Sequence, residues 1–206
     1  MFFLFILMIA GTFNVQEYLN EVKGFNANSY FKEQAYNDAK NFDSVKEAKQ
    51  LVDVQDFDIH LMNWCLFAAT QEVRERANLS PLKFDVRLRN AAVIHTNEMV
   101  KRGFYDHINN RNSALKMPNN RMEICGVNSM KIAENIHNYG FQNNAVSYKD
   151  LARAIVKSFF ASSGHKKNIL DKQLNSLGCG AMFEKDKSSN RYFMKVTQCF
   201  AYLPNQ

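Results

Sequence analysis

The sequence predicts an α+β sandwich in which helices pack on a small, largely antiparallel sheet. Three observations carry that expectation. After Asp56 come three stretches with helical apolar periodicity, each opened by a capping residue; near the carboxyl end lie two β-rich runs separated by a polar turn; and 206 residues suffice for one well-buried domain but not for two of ordinary size. Composition agrees: hydrophobic residues are 46%, charged residues 22%, and 17 Phe with 8 Tyr exclude a disordered chain, while 8 Gly and 3 Pro exclude collagen-like or low-complexity sequence.

The chain opens on an uncharged apolar run, Phe2 to Ala10. It is short of the roughly 20 residues that a membrane-crossing helix needs, and it reads as a secretory signal peptide over residues 1–14, or as a weak uncleaved anchor. Residues 15–55 are polar and mixed in charge, with irregularly spaced aromatics such as Tyr18, Phe25, Tyr30 and Phe42, and read as an N-terminal extension. Short helices are expected around Asn41 to Val54. The main domain is expected over residues 56–206.

Asp58 caps the first helix of that domain, where Leu61, Met62, Cys65, Ala68, Ala69, Val73 and Ala77 share one face before Asn78-Leu79-Ser80-Pro81 ends it. Asp85 caps the second, with Leu88, Ala91, Ala92, His95 and Met99 on one stripe and Gly103 as its stop. Ser147 and Asp150 form a capping box for the third, whose face carries Leu151, Ile155, Phe159 and Ser162 and which is expected to run to Gly164. Strands are expected over Lys131 to Tyr139, Gly178 to Phe183 and Tyr192 to Leu203, the last two as a hairpin around Lys185 to Asn190.

Four cysteines, Cys65, Cys125, Cys179 and Cys199, allow three pairings, and none lies in a C-x-x-C. With the apolar leader, two structural disulfides in an oxidising compartment are expected, and the hairpin makes a Cys179–Cys199 bridge geometrically plausible. A formal charge of +6 is spread among acidic residues, as in Glu72-Val73-Arg74-Glu75-Arg76, so no nucleic-acid footprint is read. There is no H-E-x-x-H pair, no G-x-S-x-G elbow and no Gly-rich phosphate loop, and no organic cofactor is expected.

Several motifs in order then resemble one family. They are Asn78-Leu79-Ser80-Pro81-Leu82-Lys83-Phe84-Asp85, then His95 and Met99, Phe104-Tyr105-Asp106-His107, Ala133-Glu134-Asn135-Ile136, Ser162-Ser163-Gly164-His165-Lys166-Lys167-Asn168-Ile169-Leu170, Gly178-Cys179-Gly180 and Thr197-Gln198. This set is similar to the CAP superfamily, also called SCP-like, of cysteine-rich secretory proteins, antigen 5 and pathogenesis-related 1 proteins, in its bacterial-type branch. The resemblance implies a three-layer α-β-α sandwich with a central cleft lined by His107, Glu134 and His165, and with His95 in support. It implies bridges Cys179–Cys199 and Cys65–Cys125. Ala133 stands where the family carries Gly, Phe159 where it often carries Trp, and a second cleft carboxylate has no match.

Imidazoles converging on one carboxylate suit a divalent metal, zinc or magnesium, at His107, His165 and Glu134, and such an ion can activate water. The same residues suit a polar knot that holds sheet to helices. Two functional classes follow. One is a secreted or extracytoplasmic, non-catalytic binding module for an apolar ligand, a cell-surface component or a protein partner. The other is a metal-dependent peptidase or esterase with His107, Glu134 and His165 as catalytic candidates.

Overall fold

The computed structural model describes residues 13–26, 42–141, 145–186, 188–189 and 191–204. The expected signal peptide lies outside these residues but for its last two positions. Among the described residues are six α-helices, α1 (Val15–Asn20), α2 (Ile59–Arg76), α3 (Val86–Arg102), α4 (Pro118–Ile124), α5 (Tyr148–Ala161) and α6 (Ser163–Ile169), and two 3-10 helices, Phe42–Ser44 and Glu47–Lys49, in the stretch where short helices are expected. The strands are β1 (Lys83–Phe84), β2 (Ile132–Phe141), β3 (Ser176–Lys185) and β4 (Tyr192–Ala201). They form one sheet in the order β1-β3-β4-β2, with β1 parallel to β3 and the other pairs antiparallel. The fold is the α-β-α sandwich expected, with α2, α5 and α6 on one face and α3 and α4 on the other.

Each long helix begins where its cap demands. Asp58 accepts from the Leu61 N–H at 3.0 Å, Asp85 from the Arg87 and Leu88 N–H groups at 2.8 and 3.2 Å, and Ser147 from the Asp150 N–H at 3.1 Å. Such a cap is worth about 1 kcal/mol. Gly103 closes α3 in the left-handed conformation at φ 62°, which a side chain would strain.

The glycines of Gly178-Cys179-Gly180 let a helix approach the sheet closely. A Cβ on Gly178 would fall 1.9 Å from the Arg89 backbone nitrogen, and one on Gly180 would fall 2.6 Å from Ala92 backbone atoms. Helix α3 therefore rests directly on the β3 backbone, with Thr96 donating to the Gly180 carbonyl at 3.2 Å. That contact places His95, one residue before Thr96, under the sheet.

Three expectations change here. The third expected helix stops at Ala161, because Ser162 is extended (φ −92°, ψ 126°); Gly164 is not a stop but lies in the first turn of α6. Both expected disulfides are absent, and all four cysteines are free. The register explains the first: Cys179 stands opposite Gln198 and Cys199 opposite Gly178, so the two cysteines are one step apart and point to opposite faces of the sheet. Cys65 packs with the α2/α5 core and Cys125 with the clusters on the α3 side, so the sheet separates that pair as well. Finally, the stretch read as an extension contributes to the core. Phe42, Val45, Ala48 and Val52 are buried with α2 and α5, and residues 13–26 dock on α3.

Candidate functional site

Glu134 lies on β2, on the face covered by α3 and α4, with a side chain only 2% exposed. Its carboxylate is held by two elements. His107, in the loop after α3, directs Nδ1 to Glu134 Oε1 at 2.9 Å, and because a carboxylate only accepts, Nδ1 carries the proton. Its Nε2 is turned away from the carboxylate, and the His107 side chain is 44% exposed. Arg121, from α4, donates from Nη2 to both carboxylate oxygens at 2.9 and 2.7 Å. The same guanidinium gathers the loop by donating to the carbonyls of His107 (3.0 Å), Leu115 (2.9 Å) and Lys116 (3.1 Å), and its side chain is 0% exposed.

His95 lies beneath this group, fully buried, as its helical stripe predicts. Its Nε2 donates to the Asp106 carbonyl at 3.0 Å and stands 3.8 Å from Glu134 Oε1, whereas its Nδ1 is buried with no hydrogen-bond partner among the described residues. Burial pushes its pKa down to about 4 against the pull of Glu134, so the ring is neutral at pH 7. Burial alone would raise the Glu134 carboxyl, but the hydrogen bonds from His107 and Arg121 overcome it and hold the group below its usual range. Arg121 and Glu134 thus form a buried ion pair with the neutral His95 ring beside it and His107 at its outer side.

His165 does not join the contact. It lies in α6, half-buried, with its ring edge-on to Phe159 at 5.1 Å, and its pKa is lowered by burial and then by the charge of His107. Its backbone carbonyl accepts from Asn135 Nδ2 at 3.3 Å. Asn135 continues a buried polar chain: it donates to Gln198 Oε1 (3.1 Å), Gln198 donates to Thr70 Oγ1 (2.8 Å), and Asn168 donates to Asn135 Oδ1 (2.8 Å). The motif residues Asn135, Asn168 and Gln198 therefore tie α6 and α2 to the sheet. Asn168 also donates to the Glu134 carbonyl at 3.3 Å, and the Tyr105 hydroxyl donates to the Ile136 carbonyl at 3.1 Å, so side chains occupy the outer edge of β2.

A zinc or magnesium ion bound by a carboxylate needs a free oxygen lone pair at about 2.0–2.2 Å. Glu134 Oε1 accepts from both His107 and Arg121 and Oε2 from Arg121, and this guanidinium, which would repel a metal cation, already supplies the positive charge a metal would bring. Among the described residues no group of three or more His, Cys, Asp or Glu side chains is placed to hold a metal ion. The expected donor set His107, Glu134 and His165 thus does not fit a metal at Glu134.

Two residues escaped the sequence reading. Arg121 had no local signal, since its partner is 13 positions away on another element. Glu98 had one: it is three residues after His95 and shares the buried face of α3, where it is 1% exposed.

Among solved structures, the chain is similar to an extracellular protein containing an SCP domain from Bacillus anthracis str. Ames, at 22% identity and a TM-score of 0.56. The match covers 73% of this chain and 43% of that one, so the chain spans less than half the length of this relative. An outer surface protein from Borrelia burgdorferi matches at 16% identity and a TM-score of 0.47, over 65% of this chain and 88% of its own. A cysteine-rich secretory protein from Staphylococcus aureus matches at 15% identity and a TM-score of 0.47, over 70% of this chain and 39% of its own. No curated protein sequence matches. Among the described residues no helix is long and apolar enough to cross a membrane. The profile of the cysteine-rich secretory protein family, CAP, matches residues 67–200, which takes in the second half of α2, all of α3 and α5 and nearly all of the hairpin, and the chain belongs to that family.

Proposed function

We propose that this chain is an extracytoplasmic binding module that holds an apolar ligand with an acidic head and does not turn it over, with the apolar run Phe2 to Ala10 as its export signal. The observation that carries this reading is a groove of about 510 Å³ between α2 and α5. It is lined by Ala69, Val73, Ala77, Val156 and Phe160, with Arg76 and Lys157 exposed beside them and Arg153 ion-paired to Glu72. An apolar trough with cations at the lip suits an acyl chain whose carboxylate stays at the surface.

The His107–Glu134 pair lies on the other face of the sheet, and its carboxylate is already ion-paired, which supports binding over metal-dependent hydrolysis. Titration of the full chain with a fluorescent long-chain fatty acid tests the proposal. Binding should be saturable, and Lys157→Glu with Arg76→Glu, both at the surface, should weaken it roughly tenfold or more. Equal affinity in the charge-reversed variant, or no saturable binding, would remove the groove from the function. Hydrolysis of ester or peptide substrates that is lost in His107→Ala would restore the catalytic reading.

A further inference from the structure

A second buried carboxylate lies outside the Glu134 cluster. Glu98 accepts from three segments: from the Tyr18 hydroxyl at 2.9 Å, from Arg102 Nε at 2.7 Å and from Asn109 Nδ2 at 2.8 Å. Asn109 is fully buried, two residues beyond His107, and it organises the loop between α3 and α4. Its N–H donates to the Lys116 carbonyl at 2.8 Å, and its side-chain oxygen accepts from the Arg111 N–H at 3.0 Å. Tyr18 is fixed in turn, since its hydroxyl accepts from Asn97 Nδ2 at 2.9 Å.

The same N-terminal segment meets the same loop through apolar contacts. Leu19, Val22 and Phe25 are buried in one cluster with Val93 and Ile94 of α3 and with Leu115 of the loop. Leu115 supplies one of the carbonyls that hold Arg121. Residues 13–26 thus reach the Glu134 cluster along two routes, one through Glu98 and Asn109 and one through Leu115 and Arg121.

We propose that residues 13–26 are a brace for the His107 loop, with Tyr18 as a positioning residue that acts through Glu98 and Asn109 to keep His107 in register with Glu134. A buried carboxylate that loses a donor keeps its desolvation cost without the compensating bond, so the loop it anchors opens more often.

Tyr18→Phe in the full chain removes only the hydroxyl and leaves the ring packing in place. Amide hydrogen exchange by NMR should show Asn109 and Leu115 exchanging roughly tenfold faster, with the β3–β4 ladder changed by less than about twofold. The His107 Hε1 resonance should shift or broaden with them. Unchanged exchange at Asn109 and Leu115 overturns the proposal. So does an equal acceleration in the loop and the ladder, which would make Tyr18 a general stabilising residue, and so does a His107 signal that stays in place while the loop amides respond.

Discussion

Arg121 and Glu134 face each other in the protein interior, one guanidinium nitrogen donating to both oxygens of one carboxylate, with side chains 0% and 2% exposed. Breaking such a pair leaves a buried charge uncompensated, whereas removing both partners removes the problem. Arg121→Ala is therefore expected to lower stability by about 3–5 kcal/mol, and Arg121→Met combined with Glu134→Leu by much less than the two single changes together. Urea unfolding of the wild type, Arg121→Met, Glu134→Leu and their combination measures this cycle, and strictly additive losses would count against a coupled pair.

The ion pair also bears on metals. Calorimetric titration of the intact chain with zinc at neutral pH should show no saturable one-to-one binding, and zinc should leave the His107 imidazole resonances in place. One-to-one uptake with a matching His107 shift would mean that the guanidinium yields to a metal.

Acid should destabilise the protein in two steps of the same sign. His95 has a folded pKa of about 4, below its unfolded value, so between about pH 6.5 and 4 the unfolded chain holds more protons and stability falls as pH drops, by up to about 1.4 kcal/mol per pH unit. Glu134, held below the usual carboxylate range, contributes stability that is present above its unfolded pKa of about 4.3 and is lost as pH falls through its folded value. Melting temperatures from pH 8 to pH 4 should decline, and His95→Gln, which keeps a donor for the Asp106 carbonyl without titrating, should flatten the decline between pH 6.5 and 4.

The contact between α3 and β3 has no room for a methyl group. Gly180→Ala should force α3 away from the sheet and destabilise by about 1–3 kcal/mol or more, a fall in Tm of roughly 5–10 °C. Gly164→Ala, where a Cβ would meet nothing within 4 Å, serves as the control and should leave Tm nearly unchanged. Similar melting of the two variants would contradict the close approach.

All four thiols should titrate with a disulfide reagent after denaturation and react slowly before it. Burial pushes the Cys125 thiol up to about 12 and also raises those of Cys65 and Cys199 well above the usual thiol range, so little thiolate forms at neutral pH. Fewer than four thiols in the denatured chain would reveal a bridge that the free cysteines do not predict.

The long helices and the hairpin were legible because local chemistry decides them. Asp58, Asp85 and Ser147 cap α2, α3 and α5, and the helical period behind each cap is strong enough to set the buried face, including the inward turn of His95. Helix α6 was missed because Gly164 signals a stop, yet the extended backbone at Ser162 ends α5 first and a new helix starts at Ser163. The cysteine pairing failed on a single step of register, which no composition or spacing rule reveals. His107 and Glu134 do meet, but the cation that shares the carboxylate comes from a short helix whose only local sign is Pro118 at its first position. The Tyr18–Glu98 contact joins residues 80 positions apart, and nothing local announces it.

The hydrogen bonds of Tyr105 and Asn168 to the Ile136 and Glu134 carbonyls bear on self-association. β2 ends the sheet, and an unguarded final strand is a template on which another copy of the chain can align and extend the sheet between molecules. With those two carbonyls occupied, an incoming strand would have to displace a tyrosine and an asparagine before it gained its first bonds. Tyr105 of the His107 loop and Asn168 of α6 thereby guard this edge, and loosening either is expected to appear first as aggregation at high concentration, before any loss of fold.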